Sequence, residues 1–166
     1  MPVWNPINIA RSWRPIALLA SALLLLAVVL PAGAATVGGN CVTTATKFRT
    51  SNANAGTTST AFSTIPQSGV NFAQGGAGAG CIIVTFTSII TTASTWMYVK
   101  PTLDGNDPVD PGSGVWRVTS QESRTAVFVF TNVAPGAHTI VMKFRSNNGG
   151  SNVTVYNRIM TVSYRK

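Results

Sequence analysis

Few side chains in this sequence could carry chemistry, and most of them are cations. Lys143, Arg145, Tyr156 and Arg158 lie close together near the C-terminus. Three positive charges around one aromatic ring suit a surface glycan or an anionic polymer, and Trp96 or Trp116 could add a second ring. Asp104, Asp107 and Asp110, with Asn106 among them, are the residues that could ligate a hard cation through oxygen. The run lacks the Asp-x-Asp-x-Asp-Gly order and distal Glu of a calcium loop, and Asp, Asn, Gly and Pro are ordinary turn residues. It therefore reads as a solvated turn, and no metal or other cofactor is expected. His138 is the only histidine. No G-x-S-x-G element accompanies it, and a histidine beside a tight turn at the head of an apolar strand reads as a hydrogen-bonded structural residue. Paired-carboxylate hydrolysis would need two of Asp104, Asp107, Asp110 and Glu122, three of which share one turn. No catalytic residue is expected, and a hydrolase stands behind two binding readings. These are a non-catalytic binding or assembly protein and a carbohydrate or anionic-polymer module.

Two further features bear on where such a protein works. Residues 1–14 carry two cations, Arg11 and Arg14, and no acid; residues 16–30 are apolar but for one Ser; Pro31-Ala32-Gly33-Ala34-Ala35 supplies an A-x-A-like site. The reading is a signal peptide over residues 1–35 and a single domain over 36–166, secreted or at the cell surface. Retention of the segment as an anchor is the alternative. Cleavage would leave no stable membrane insertion. Export also sets nucleic acid aside as a partner. After residue 35 there are ten cations and four acids, a formal charge of +6, spread without a run. That charge favours acidic partners and also serves plain solubility. Cys41 and Cys81 are the only cysteines. In an oxidising compartment they are expected to pair, closing a loop of about 40 residues worth roughly 4 kcal/mol on the chain-entropy model.

The elements that must position these residues read as strands throughout. No helical periodicity is sustained anywhere, and eight or nine short β-like segments are separated by turn residues. This predicts an all-β fold, a two-sheet antiparallel β-sandwich of jelly-roll type, with a fibronectin type III or immunoglobulin-like sandwich as the alternative. Residues 81–90 are apolar on both faces and read as a central strand covered on both sides. GGAGAG at 75–80 looks like a phosphate loop, but it feeds a strand rather than a helix and is read as a flexible connection. Pro101 places its end of a strand at a sheet edge or bulge. Phe128 and Phe130 face one way and Val127 and Val129 the other. That strand is either buried on both faces or has an apolar outer side available to an oligomer or a ligand.

Side-chain parity gives the C-terminal stretch a register. If residues 146–151 close a hairpin on Asn148-Gly149, Lys143 lies opposite Thr154, Arg145 opposite Asn152 and Val141 opposite Tyr156. Ile140, Met142, Phe144, Val153 and Val155 then share a core face, and Lys143, Arg145, Tyr156 and Arg158 share the other. Past Arg158 the apolar positions move to Met160, Val162 and Tyr164, so a bulge or sheet switch is expected near Asn157 and Arg158. Pro135-Gly136 suits a type II turn, or an arch between the two sheets.

The order CIIVTFT, WMYVKPTLDGNDPV, RTAVFVFTNVAPGAHTIVMKF and NRIMTVSY is similar to the jelly roll of complement-type globular heads and tumour-necrosis-factor-like domains. The pattern spans roughly residues 61–166, and Phe86 is its one aromatic match in the central strand. The resemblance implies a trimer and a binding role rather than catalysis. TNVAPGAHTIVMKF also resembles the corner before the penultimate strand of fibronectin type III domains, with His138 where that family prefers Tyr.

Overall fold

Period-two alternation builds nearly the whole domain. A computed structural model describes residues 41–107 and 112–166; the proposed signal segment, residues 1–35, and Asp110 lie outside the described residues. The strands are β1 (Ala45–Ser51), β2 (Ala55–Thr57), β3 (Ser63–Thr64), β4 (Val70–Gln74), β5 (Gly80–Thr91), β6 (Met97–Leu103), β7 (Gly114–Trp116), β8 (Glu122–Val133), β9 (Gly136–Ser146) and β10 (Val153–Tyr164). Sheet I runs β1-β10-β5-β8, with β2 continuing the β1 edge along β10. Sheet II runs β3-β9-β6-β7, with β4 continuing the β3 edge along β9. Every pairing is antiparallel. If each broken edge is counted as one strand, there are eight strands, and from the β1 edge onward the chain changes sheet at every connection except the β6–β7 hairpin. That is the connectivity of a jelly roll.

The core lies between the sheets and is filled from alternate positions. Phe86, Phe128, Ile82, Val84 and Met160 from sheet I meet Met97, Val99, Ile140, Met142 and Phe144 from sheet II, all essentially without exposed surface. Trp116 enters from β7 and stacks on Phe86 with ring centroids 6.2 Å apart. Two residues along the same face, a Cβ at Gly114 would press on Ala126 and Val99 at 3.2 Å, so glycine eases the close approach of β7 to β8. Pro101 lies past the end of β7, where β6 has no partner on that side among the described residues. Cys41 and Cys81 form the disulfide, tying the approach to β1 to the start of β5 with Cα atoms 5.5 Å apart.

Four expectations need correction. The first concerns β9 and β10, which do not form a hairpin: β9 pairs with β3, β4 and β6, and β10 with β1, β2 and β5. The 146–151 connection is an arch between sheets, held by Asn147 N–H on the Trp96 carbonyl and Ser146 N–H on the Ser59 carbonyl, at 2.8 Å each. Pro135-Gly136 joins β8 to β9 as a second arch. Secondly, β5 is central but covered on one face only; Ile83, Thr85, Thr87 and Ile89 are half-exposed on the other. Thirdly, of the two readings for β8, burial on both faces fails and the open apolar outer side holds, with Val127 49% exposed. The fourth correction is that GGAGAG is not a free tether. Its Gly75 and Gly78 carbonyls accept from the Arg165 guanidinium at 3.1 and 2.6 Å, and Gly75 N–H donates to the Arg165 carbonyl at 2.7 Å. A side chain at Gly76, whose φ is +95°, would collide with that guanidinium.

The expected break in β10 is present and has a second function. Tyr156 pairs with Ile89 and Ile159 with Thr87, so Asn157 and Arg158 together oppose Ser88. The bulge reverses parity: Val153 and Val155 are buried before it, and Met160, Val162 and Tyr164 after it. It also turns Arg158 inward, where the residue is 4% exposed. The guanidinium donates to the carbonyls of Ala53 (2.8 Å), Val155 (3.2 Å) and Pro66 (3.2 Å) and to the Ser51 hydroxyl (3.0 Å). Ala53 lies in the gap between β1 and β2, and Pro66 in the gap between β3 and β4. One cation therefore joins the interrupted edges of both sheets.

Arg158→Met preserves bulk but leaves those acceptors without a donor. It is expected to cost about 2–4 kcal/mol, seen as a drop of roughly 10 °C in melting temperature. A change below about 0.5 kcal/mol, the range of an ordinary surface substitution, would contradict this role.

Candidate functional site

The outer face of sheet II brings together rings and cations from four segments. On β6, Tyr98 and Lys100 point outward between the buried Met97, Val99 and Pro101, and Trp96 extends the same row. On β9, Lys143 and Arg145 point outward between Met142, Phe144 and Ser146. Tyr98 pairs with Arg145 and Lys100 with Lys143. Val115 of β7 lies opposite Tyr98 and is 45% exposed. Phe62 arrives just before β3 and Arg117 just after β7.

These groups touch one another. The Arg145 guanidinium carbon lies 4.0 Å from the Tyr98 ring centroid and 5.3 Å from that of Phe62. Lys100 Nζ sits 4.2 Å over the other part of the same cluster, the Phe62 ring, and 2.7 Å from Asp107 Oδ2. Arg117 lies 5.5 Å from the ring of Trp96, which is 44% exposed. Cations held against aromatic faces gain roughly 0.5–1 kcal/mol each at exposed sites. Here the rings also fix the direction of the Arg145 fork. Among the described residues Lys143 has no such partner; it stands directly across from Lys100, whose charge is met by Asp107. Asp107 is the one acid in contact with this cluster among the described residues.

The four residues grouped by the hairpin register are thus divided. Lys143 and Arg145 share the outer face of sheet II; Tyr156 lies on the outer face of sheet I, paired with Ile89; Arg158 is buried between the sheets. Trp116 belongs to the core. Tyr98, Phe62 and Arg117 complete the cluster in their place. The outward parity of Tyr98 with Lys100 is open to reading from WMYVKP, whereas Phe62 lies in the short β-like piece at 61–66, just ahead of a two-residue strand too short to show its parity.

The acidic turn and His138 form a separate arrangement. Asp104 Oδ2 lies 2.6 Å from His138 Nδ1, Oδ1 accepts the Thr139 N–H at 2.8 Å, and His138 Nε2 is 2.9 Å from the Ala134 carbonyl. Both partners of the ring are acceptors, so both ring nitrogens carry protons in this geometry. Burial pushes the Asp104 carboxyl up, but the hydrogen bonds from His138 and Thr139 and the imidazolium charge outweigh it and leave the group below its ordinary range. Burial likewise disfavours the imidazolium. The bonds to Asp104 and Ala134 and the carboxylate charge again outweigh it, and the His138 pKa is raised. With both nitrogens committed, His138 has none left to activate a nucleophile, and its ring packs on Phe72 at 5.7 Å. Among the described residues no three His, Cys, Asp or Glu side chains converge on a metal position. Asp104 and Asp107 sit in separate ion pairs.

No protein-family model matches the chain, and no curated protein does. Among solved structures it is similar to dimeric latent PorU from Porphyromonas gingivalis, at 12% identity and TM-score 0.47, over 77% of this chain and 14% of that one. The chain therefore spans about one seventh of the length of PorU. It is also similar to the CBM36-1 domain of a multidomain xylanase from the hindgut metagenome of Trinervitermes trinervoides, at 13% identity and TM-score 0.40, over 71% of this chain and 96% of that one. A third similar structure is the EclA C-terminal domain, a sugar-binding protein, at 14% identity and TM-score 0.36, over 78% and 86% of the two chains.

The Asp104–His138 pair gives a pH test with a defined sign. Asp104 is lowered from an ordinary 3.8, so its contribution is present above 3.8 and fades as pH falls through the lower folded value. His138 is raised from 6.5, so its contribution is complete below 6.5 and fades as pH rises through the higher folded value. The stability difference between the wild type and Asp104→Asn, from urea melts, should be largest between those limits and narrow on both sides. A difference independent of pH would contradict the imidazolium assignment.

Proposed function

We propose that this protein is a non-catalytic binding module, outside the cytoplasm, for an anionic glycan held on the outer face of sheet II. The observation that carries this reading is the cluster of Trp96, Tyr98 and Phe62 with Lys100, Arg117, Lys143 and Arg145. Outward positions along one strand are about 7 Å apart and neighbouring strands about 4.8 Å apart, so the cations form a shallow lattice suited to a repeating polyanion rather than to one small anion. Lys143, without an ion-pair partner among the described residues, is open to an anion, whereas Lys100 is already paired with Asp107. The pre-oriented Arg145 fork suits a carboxylate or sulfate, and the exposed Trp96 offers an apolar face to a sugar ring. The disulfide supports an oxidising compartment, which also favours a glycan over nucleic acid as the polyanion.

Affinity chromatography on a uronic-acid or sulfated polysaccharide, with calorimetry on an oligosaccharide of it, tests the reading. The wild type should be retained and released by salt. Arg145→Ala and Lys143→Ala should each weaken binding about tenfold, or about 1.4 kcal/mol, and Trp96→Ala should reduce it without changing the salt dependence. Tyr156→Ala, on the opposite face, should bind as the wild type does. Unchanged affinity in the Lys143→Ala, Arg145→Ala double variant would overturn the assignment.

A further inference from the structure

The opposite face of the sandwich has a different chemistry that glycan binding does not use. Across sheet I, the outward positions of β1, β10, β5 and β8 form rows, the central one being Phe48, Thr161, Thr85 and Val127. The rows on either side hold only Thr, Ser, Ile and Val, and Tyr156 closes one end. No Lys, Arg, Asp or Glu points outward within these rows, in a domain that carries ten cations. Large apolar side chains stand open on it beside exposed Thr46, Thr50 and Thr125: Phe48 is 72% exposed, Val127 49% and Ile159 48%. An uncharged face of hydroxyl and exposed apolar side chains is a candidate interaction surface.

We infer that this face pairs with the same face of a second copy of the chain, in a two-fold, sheet-on-sheet dimer. Charge selects the occupant. Lys100, Arg117, Lys143 and Arg145 occupy the outer face of sheet II, and Lys47 and Arg49 turn across the β1 edge to the Asn71 and Gln67 carbonyls. Two such copies therefore meet with least like-charge opposition through sheet I. The inward-turned edge cations also oppose strand addition at β1, leaving the face rather than the edge for association. Hydroxyl chemistry points the same way. Thr87 and Thr125 bond to each other at 2.8 Å, and Thr46 and Ser163 at 3.2 Å, so these polar atoms keep partners when water is removed. The size suffices as well. Four strands about 4.8 Å apart and about 30 Å long give roughly 600 Å² per copy, and the total of about 1,200 Å² reaches the lower bound of specific interfaces. A two-fold axis needs only one self-complementary patch.

Sedimentation equilibrium of the chain lacking residues 1–35 tests this. The wild type should move from monomer near about 1 µM to dimer near about 100 µM, the range expected for a contact of this size. Val127→Lys and, separately, Thr161→Lys should each remain monomeric at the higher concentration, with circular dichroism and melting temperature close to wild type. Lys143→Ala with Arg145→Ala should dimerise as the wild type does. Retention of Val127→Lys on the anionic polysaccharide should persist, so a failure of either reading can be told from a failure of the other. A wild type that stays monomeric throughout would overturn the inference, as would a trimer or a dimer unaffected by both lysine variants.

Discussion

The buried guanidinium of Arg158 is the constraint on which the edges of this sandwich depend. A jelly roll leaves each sheet with an open side, and here both strands on that side are broken, between Ser51 and Ala55 and between Thr64 and Val70. The breaks turn carbonyls inward that no ladder can pair, and buried carbonyls need donors. Arg158 supplies several from one planar group, without a carboxylate partner among the described residues. Its burial disfavours the charged form and lowers its pKa, yet an arginine remains charged because its ordinary value is so high. The bulge delivers this side chain. With an unbroken ladder Arg158, Met160, Val162 and Tyr164 would share one face, and either all four would meet solvent or Val153 and Val155 would.

How much of this was legible in the sequence follows from how local each determinant is. The reversal of parity around Asn157 could be read because a bulge changes only its own strand, and the core positions of β9 and β10 could be read because alternation survives either register. The hairpin was misread for the opposite reason. Asn148-Gly149 is a strong local turn signal, but in a jelly roll consecutive strands lie in different sheets, and that topological requirement overrides it. The misreading had a functional consequence. Lys143 and Arg145 kept their common face, while Tyr156 moved to the far side of the molecule and Tyr98 took its place beside Arg145. Trp96 and Trp116 show the limit of patterning in short strands, since three residues of β7 give too little alternation to say which tryptophan is inside. The clasp of Arg165 by Gly75 and Gly78 spans about ninety residues of chain, and nothing in GGAGAG itself announces it.

The two outer faces divide the surface by chemistry. Sheet II displays cations held in place by rings, with Lys143 set directly across from Lys100. Sheet I displays hydroxyls bonded to one another and exposed aliphatic groups without a charge. A binding face and an association face on opposite sides of one sandwich would let a dimer present two cationic surfaces outward. Weak contacts to a repeating polymer then gain from the second site when both can engage one chain. The Asp104–His138 pair stands apart from both, tying the turn after β6 to the start of β9.

The central claim is that the polyanion is read by the outer face of sheet II. Titrating the isotopically labelled domain with a defined uronic-acid or sulfated oligosaccharide, and following side-chain and backbone resonances, tests it most directly. The Trp96 indole, the Arg145 guanidinium and the backbone around Tyr98 and Lys143 should shift together and saturably, while Phe48, Thr85 and Val127 stay still. Shifts concentrated on sheet I, or scattered over every exposed cation without saturation, would contradict it.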